Sequence, residues 1–362
     1  MSSEVPHPRD VFPNRSQARG PDPRSPTVAP GRSRVRISRR AILAGATGLV
    51  GGAAGAKWLW NTFEGFQSAS VFVAKAASYD AGLESIVRDG LRELGIDSPW
   101  AKGNSILLKP NFVDPRAETP QINTHPAVVC AVAEVFRRWD AREVIVAEGQ
   151  AHCRDVRLVL EQSGLGRALQ EAGLEYIDLN HDDVFTLENR LRLTNISPFY
   201  LPKTLRRADK IVSLAKMKTH HWAGVTLSMK NLFGILPGIC YGWPKNVLHV
   251  AGIPGSILDV TATVRPHLAI VDGIIGMEGD GPLMGTAKRA DLLVMGTNLA
   301  AVDATSARLM GFDPWHIRYL RGASGRIGPI GKARIEQRGE PIEGLEKRFE
   351  LIDHWLMKAF RD

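Results

Sequence analysis

The sequence has only three cysteines, Cys130, Cys153 and Cys240, widely separated and forming no C-x-x-C pair. Zinc sites rich in cysteine and iron–sulfur clusters need clustered thiolates, so this chain builds neither by itself. At most one disulfide can form, and isolated cysteines equally suit the role of small core residues. Other absences narrow the field further. The chain has no H-E-x-x-H and no G-x-S-x-G, and Gly331-Lys332 runs into Ala333 without the upstream glycine of a phosphate-binding loop. There is no internal repeat and, after residue 60, no long low-complexity tract, so repeat architectures do not apply.

Charge is also short where a nucleic-acid binder needs it. The net charge is +8, but residues 1–40 hold nine arginines against Glu4, Asp10 and Asp22, leaving only +2 for residues 41–362. The basic surplus belongs to the leader, and no nucleic-acid partner is expected. What remains is ordinary globular usage over 362 residues, 44% hydrophobic and 23% charged, enough for a substantial core.

Residues 1–37, rich in Pro, Arg and Ser, read as a disordered basic n-region. Residues 38–60 begin with Ser38-Arg39-Arg40-Ala41-Ile42-Leu43 and continue as a mild Gly/Ala-rich apolar stretch to about Ala56. Paired arginines, a hydrophobic residue two positions on and a weak h-region match a twin-arginine signal peptide. Ala54-Gly55-Ala56 offers small residues for cleavage, whereas Ala41 to Trp60, with Trp58 and Trp60 at its end, also has the length of a membrane anchor. Either way the expected location is exported, periplasmic or on the outer face of the cytoplasmic membrane. The Tat translocase would be a transient partner.

From Val71 onward short apolar runs alternate with helical stretches. Strands are expected at 105–108, 144–146, 174–179, 210–214, 268–271 and 292–295. Helices are expected over 126–139, over 156–172 with a break at Gly164 and Gly166, and over 299–310. Continuous apolar strands between helices imply an α/β fold, a mostly parallel, Rossmann-like sheet covered on both faces. Residues 70–315 form this domain, with irregular insertions at 182–206 and 236–256. Residues 316–362 form a C-terminal extension ending in a helix over 345–360.

In such sheets ligands collect beyond the carboxyl ends of the strands. Polar residues recur there: Lys109-Pro110-Asn111, Glu148-Gly149, Asp178 with Asn180, Asp272-Gly273, and Asn298 with Asp303. Asn298 also suits a simple helix cap. The densest signal is Lys216-Met217-Lys218-Thr219-His220-His221. If the strand continues, Lys216, Lys218 and His220 project to one face, where mutual repulsion calls for an anion or carboxylate. The competing reading is a solvated edge of surface lysines. Lys230, in Ser228-Met229-Lys230-Asn231-Leu232-Phe233-Gly234, either points into the same pocket or lies along the surface. Asp272, Glu278 and Asp280, set among glycines, supply the hard oxygen ligands a divalent metal prefers, or else bond to backbone amides and lysines. His125, before Pro126, can open a helix into the pocket.

Taken in order, Lys109-Pro110-Asn111, Thr124-His125-Pro126, Glu148-Gly149, Lys216 to His220, Lys230 to Gly234, Asp272-Gly273 and Glu278-Gly279-Asp280-Gly281-Pro282 resemble the family catalogued as domain of unknown function 362. The resemblance spans about residues 70–315. It implies an α/β domain, association with iron–sulfur proteins and twin-arginine signals in some members, but no established reaction. Members with a ferredoxin-like domain carry clustered cysteines that are missing here, so an iron–sulfur or redox role would require a partner protein.

Two functions compete. In an enzyme acting on an anionic small molecule, Lys218, His220 and Lys216 supply acid or base. Lys109, Asn111, His125, Glu148, Lys230 and Asn231 then bind substrate, while Asp272, Glu278 and Asp280 hold a metal or orient the base. In a non-catalytic cell-envelope protein the same pocket holds a ligand or cofactor for a redox partner.

Overall fold

A computed structural model of the protein describes residues 68–352 and Phe360. The n-region and the signal or anchor expected over residues 1–60 lie outside the described residues. The elements are β1 (Ala69–Lys75), α1 (Leu83–Glu93), α2 (Ser98–Ala101), β2 (Ser105–Pro110), α3 (Pro126–Arg138), β3 (Glu143–Glu148), α4 (Val156–Gln162), α5 (Leu165–Glu171) and β4 (Glu175–Asp178). They continue as β5 (Val184–Leu187), β6 (Phe199–Pro202), β7 (Lys210–His220), β8 (Gly224–Thr226), α6 (Ser228–Asn231), α7 (Gly238–Tyr241) and α8 (Asn246–Val264). The last are β9 (Leu268–Glu278), β10 (Thr286–Gly296), α9 (Leu299–Leu309), α10 (Arg318–Ala323) and β11 (Ile335–Gly339).

The main sheet runs β11-β1-β10-β9-β7-β2-β3-β4, with β8 folded back on β7. The block β9-β7-β2-β3-β4 is parallel, as expected for an α/β fold. The chain winds from β2 outward through β3 to β4, then returns to place β7 and β9 on the other side of β2. The winding therefore reverses between β2 and β7. Strand residues alternate between two cores: Leu107, Ile145, Ala215 and Val271 pack toward α8 and α9, while Ile106, Val146, Leu214 and Ile270 pack toward α1, α3 and α5. Burial on both faces is why these strands read as unbroken apolar runs.

Several expectations need correction. β10 is antiparallel to both β9 and β1, because only a short connection separates β9 from β10. β7 and β9 run far past the ends of their apolar runs, to His220 and Glu278, so Lys216 and Asp272 lie inside strands. Gly164 does break the helix over 156–172, but Gly166 sits within α5. The insertions are not irregular throughout: β5 and β6 pair with each other, and α7 with the start of α8 occupies the second. α8 is long and apolar enough to cross a membrane, yet it kinks at Gly252 (φ 107°) and buries Ile257, Leu258 and Val260 in the core. Residues 345–352 are not helical; Leu351 instead bridges Gly279, while residues 353–359 lie outside the described residues. All three cysteines are free, and two are exposed rather than in the core.

Candidate functional site

The reversal point between β2 and β7 opens into a cavity of about 330 Å³. Crevices at such points are where open α/β sheets bind ligands, because the loops diverge there. β7 and β8 bring Lys218, His220 and Thr226 to it, the turn between them His221, and α6 brings Lys230 and Asn231. Asn111 follows β2, Glu148 ends β3, and the second insertion adds Lys245 and His249. Asp280 lies at the edge, and Val113, Phe233 and Leu283 make apolar wall.

Beneath the cavity lies a buried ion pair. Lys109 Nζ donates to Glu148 Oε2, to Asn231 Oδ1 at 3.1 Å and to its neighbour Pro110's carbonyl at 2.8 Å. Asn231 Nδ2 donates in return to the Lys109 carbonyl at 3.1 Å and to Ser213 Oγ at 3.0 Å, locking α6 to β2 and β7. Burial pushes Lys109 down and Glu148 up, and each partner's charge opposes the other's shift. Lys109 is fully buried and does not line the cavity, so the expectation that it binds substrate directly is corrected. Gly234 explains itself here: a Cβ would stand 1.7 Å from Glu148 Oε1 and 2.8 Å from Lys109 Nζ. Gly234→Ala is therefore expected to cost at least about 1–3 kcal/mol of stability, read as a lowered melting temperature.

The lysines of β7 separate into different tasks. Lys216 Nζ donates to Asp272 Oδ2 at 2.8 Å and to Tyr79 Oη at 2.9 Å; both charged groups are fully buried. Tyr79 donates to Asp272 and stacks on His125 at 3.6 Å between ring centroids. His125 Nδ1 accepts from Ala127 N, so this histidine caps α3. Thr124 donates to the Leu214 carbonyl and accepts from Asn111 N, tying β2 to β7. Lys216 and His125 stand outside the cavity lining, which corrects their assignment as catalytic and substrate-binding residues.

Lys218 has no carboxylate partner among the described residues. Its Nζ donates to the carbonyls of Ile122 at 2.8 Å and Pro282 at 3.3 Å. Burial, and then Lys216 and Lys230, hold its pKa well below the usual lysine range, favouring the neutral amine. His220 is likewise held well below the usual imidazole range by burial and then Lys230. Its Nδ1 accepts from Trp222 N at 3.1 Å and Ala223 N at 3.3 Å, so in the neutral ring Nε2 carries the proton. Lys230, half-buried, has its Nζ 4.1 Å from the Phe233 ring centroid and no ion pair among the described residues. Burial and then Lys109 lower it to about 8. Lys245 falls to about 8 through burial, against the opposing pull of Glu148, and donates to Asn180 Oδ1. Asn111 Oδ1 and Thr226 Oγ1 are buried in the cavity lining and find no hydrogen-bond partner among the described residues.

The three carboxylates expected to hold a metal do not gather. Asp272 is taken up by Lys216, Glu278 pairs with Lys288 at 3.1 Å, and Asp280 lies 3.5 Å from His221. Among the described residues no group of three or more His, Cys, Asp or Glu is placed to hold a metal ion. Those residues do not fit a divalent metal.

Of the sequence candidates, the fold brings Asn111, Glu148, Lys218, His220, Lys230, Asn231 and Asp280 to one cavity and leaves Lys109, His125, Lys216, Asp272 and Glu278 outside it. Sequence reasoning missed Lys245, Thr226 and Tyr79. Lys245 follows Gly242-Trp243-Pro244, and the Gly/Pro density of that insertion was the one signal that pointed to it.

Fold and cleft together define an α/β protein with a cavity at its switch point, lined by several lysines and histidines. Residues 106–308 match the family model described as domain of unknown function (DUF362), and the chain belongs to that family. It is 30% identical over 269 residues to a thylakoid-associated protein of Synechocystis, covering 72% of this chain and 79% of that relative. More distant likenesses are to the lactate racemase apoprotein of Thermoanaerobacterium thermosaccharolyticum, TM-score 0.42 at 12% identity, over 67% of this chain and 57% of that one. A structural-genomics protein of Thermotoga maritima matches with TM-score 0.35 at 12% identity, over 65% and 60% of the two chains. Both matches span less than two thirds of those chains, and neither bears on chemistry here.

Proposed function

We propose that the switch-point cleft binds a small anionic molecule and that Lys218 and His220 exchange a proton with it. The observation that carries this reading is convergence. Lys218, Lys230, Lys245, His220, His221 and His249 line one cavity in which the buried carboxylate, Glu148, is already neutralised by Lys109. Burial and neighbouring cations disfavour the charged forms of Lys218, His220 and Lys230, and a bound anion would offset that. The unpaired Asn111 Oδ1 and Thr226 Oγ1 add polar groups that a ligand would satisfy, since buried polar atoms are rarely left without a partner. A neutral Lys218 amine suits a base, and His220 with its proton on Nε2 suits a hydrogen-bond donor to developing negative charge.

Titration calorimetry with inorganic phosphate and with small carboxylates tests the reading. Lys230 and Lys245 titrate near 8, so affinity is expected to be highest below that pH and to fall through it, by about tenfold per unit for each proton lost. Absence of binding by either anion at pH 7, or affinity unchanged in Lys230→Met, ends the proposal.

A second reading, a non-catalytic carrier, is favoured by the two carbonyls that hold Lys218 Nζ in place. Under it, a ligand is retained through purification and is not turned over. The thylakoid association of the Synechocystis relative supports a membrane-associated setting. The paired arginines Arg39 and Arg40 support export by the twin-arginine route to the outer face of the cytoplasmic membrane or the periplasm.

A further inference from the structure

The polarity of the cleft changes from its floor to its mouth. Its cations sit inward: Lys218 is buried and Lys230 half-buried. The mouth carries large apolar side chains in the open: Trp222 is 62% exposed, Met284 74% and Val250 88%. Single exposed hydrophobic groups are ordinary on protein surfaces, but these bracket one opening. Trp222 and Met284 belong to the cavity lining. The Trp222 ring lies 5.7 Å from that of His249, another lining residue, and Val250 is the next residue along α8. The kink at Gly252 separates this first stretch of α8 from the part that packs in the core, leaving Val247 and Val250 facing outward. A free inorganic anion accounts for the floor and leaves the mouth unexplained.

We infer that the ligand is an acidic amphiphile, with an anionic oxygen head among Lys230, Lys245 and His249 and an apolar chain crossing the rim made by Trp222, Val250 and Met284. The inference rests on the anion-binding reading above and names the class of molecule that site takes. Head and chain complement the two ends of the cleft: nitrogen groups meet the charge, and exposed apolar side chains are covered by the chain. The lining also includes the apolar residues Val113, Phe233 and Leu283, which can contact the chain.

The test is a titration of the full chain with two series, acetate to octanoate and inorganic phosphate to octyl phosphate, all below micelle-forming concentrations. Each methylene that becomes buried is expected to tighten binding by about fourfold, equivalent to about 0.8 kcal/mol. The longest members should therefore bind at least about tenfold tighter than the bare anions. A Val247→Ser/Val250→Ser variant alters exposed side chains outside the cavity lining and adds no charge, so it should keep the affinity for the bare anion and lose part of that gain. The two series show whether a carboxylate or a phosphate head is preferred. Equal affinity for short and long members overturns the amphiphile while leaving the anion site standing. So does a gain that survives in full in the double variant, which would place the chain elsewhere, for example on the apolar stretch after Arg40. If no member of either series binds, the anion site itself is overturned.

Discussion

Lys109→Met is expected to lower the unfolding free energy by about 3–5 kcal/mol, the cost of stranding a buried charge. Lys109 and Glu148 are both removed from water, and among the described residues no second cation is bonded to Glu148. Without Lys109 the carboxylate must either stay charged in the interior or take up a proton, and the Asn231 and Pro110 oxygens lose their donor. Urea denaturation would show a lowered midpoint with an unchanged slope, since the surface exposed on unfolding is the same. Lys109→Met combined with Glu148→Leu is expected to recover much of the loss, because no unpaired charge is left behind. A single variant that unfolds at the wild-type midpoint would show that the pair does not hold the floor of the cleft together.

The second large effect is expected at Asp303, which is buried in α9 and does not line the cleft. Its carboxylate accepts from Ser228 N at 2.8 Å, Ser228 Oγ at 2.5 Å, Met229 N at 3.1 Å and Tyr319 Oη at 3.3 Å. It therefore anchors the start of α6, the element that carries Lys230 and Asn231. Asp303→Ala leaves three buried donors without an acceptor, and the Ser228 hydroxyl with only the Leu299 carbonyl at 3.5 Å, and should cost about 3 kcal/mol or more. It should also weaken anion binding, because α6 is no longer pinned. Burial raises Asp303 to about 7, against the pull of those donors. The folded state then holds this proton more tightly than the unfolded chain, where an aspartate titrates near about 4. The sign follows from linkage: this group's contribution is fully present below about pH 4 and is lost as pH rises through about 7. Melting temperatures of wild type and Asp303→Asn across that window should differ in slope, with the variant flatter. Parallel curves would rule out the shift.

The parallel half of the sheet was legible because β2, β3 and β7 begin as apolar runs buried on both faces. The antiparallel half was not. β11, Ile-Glu-Gln-Arg-Gly, is a polar edge strand without periodicity, and the direction of β10 depends on the length of its connection rather than on its residues. The glycines of β9 disguised it as a loop. Gly273 and Gly276 are in fact strand residues, small because Met217 packs against both positions. In the site, alternation correctly set Lys216, Lys218 and His220 along one strand. It had no means of showing that Lys216 is opposite Asp272 in the neighbouring strand, and that register decides which lysine is neutralised and which is left for a ligand. Lys245 was hidden for a different reason: it enters the cleft from an insertion whose conformation follows from packing rather than pattern.

The family-defining segment starts at residue 106, whereas β1 spans Ala69–Lys75 and lies between β10 and β11. A fragment cut at the family boundaries would uncover the β10 stretch from Leu292 to Met295, the residues that β1 pairs, and leave their backbone donors and acceptors open to another strand. β1 thus serves as a selvedge for the sheet. By covering that stretch it keeps the domain from zipping onto a neighbour's strand.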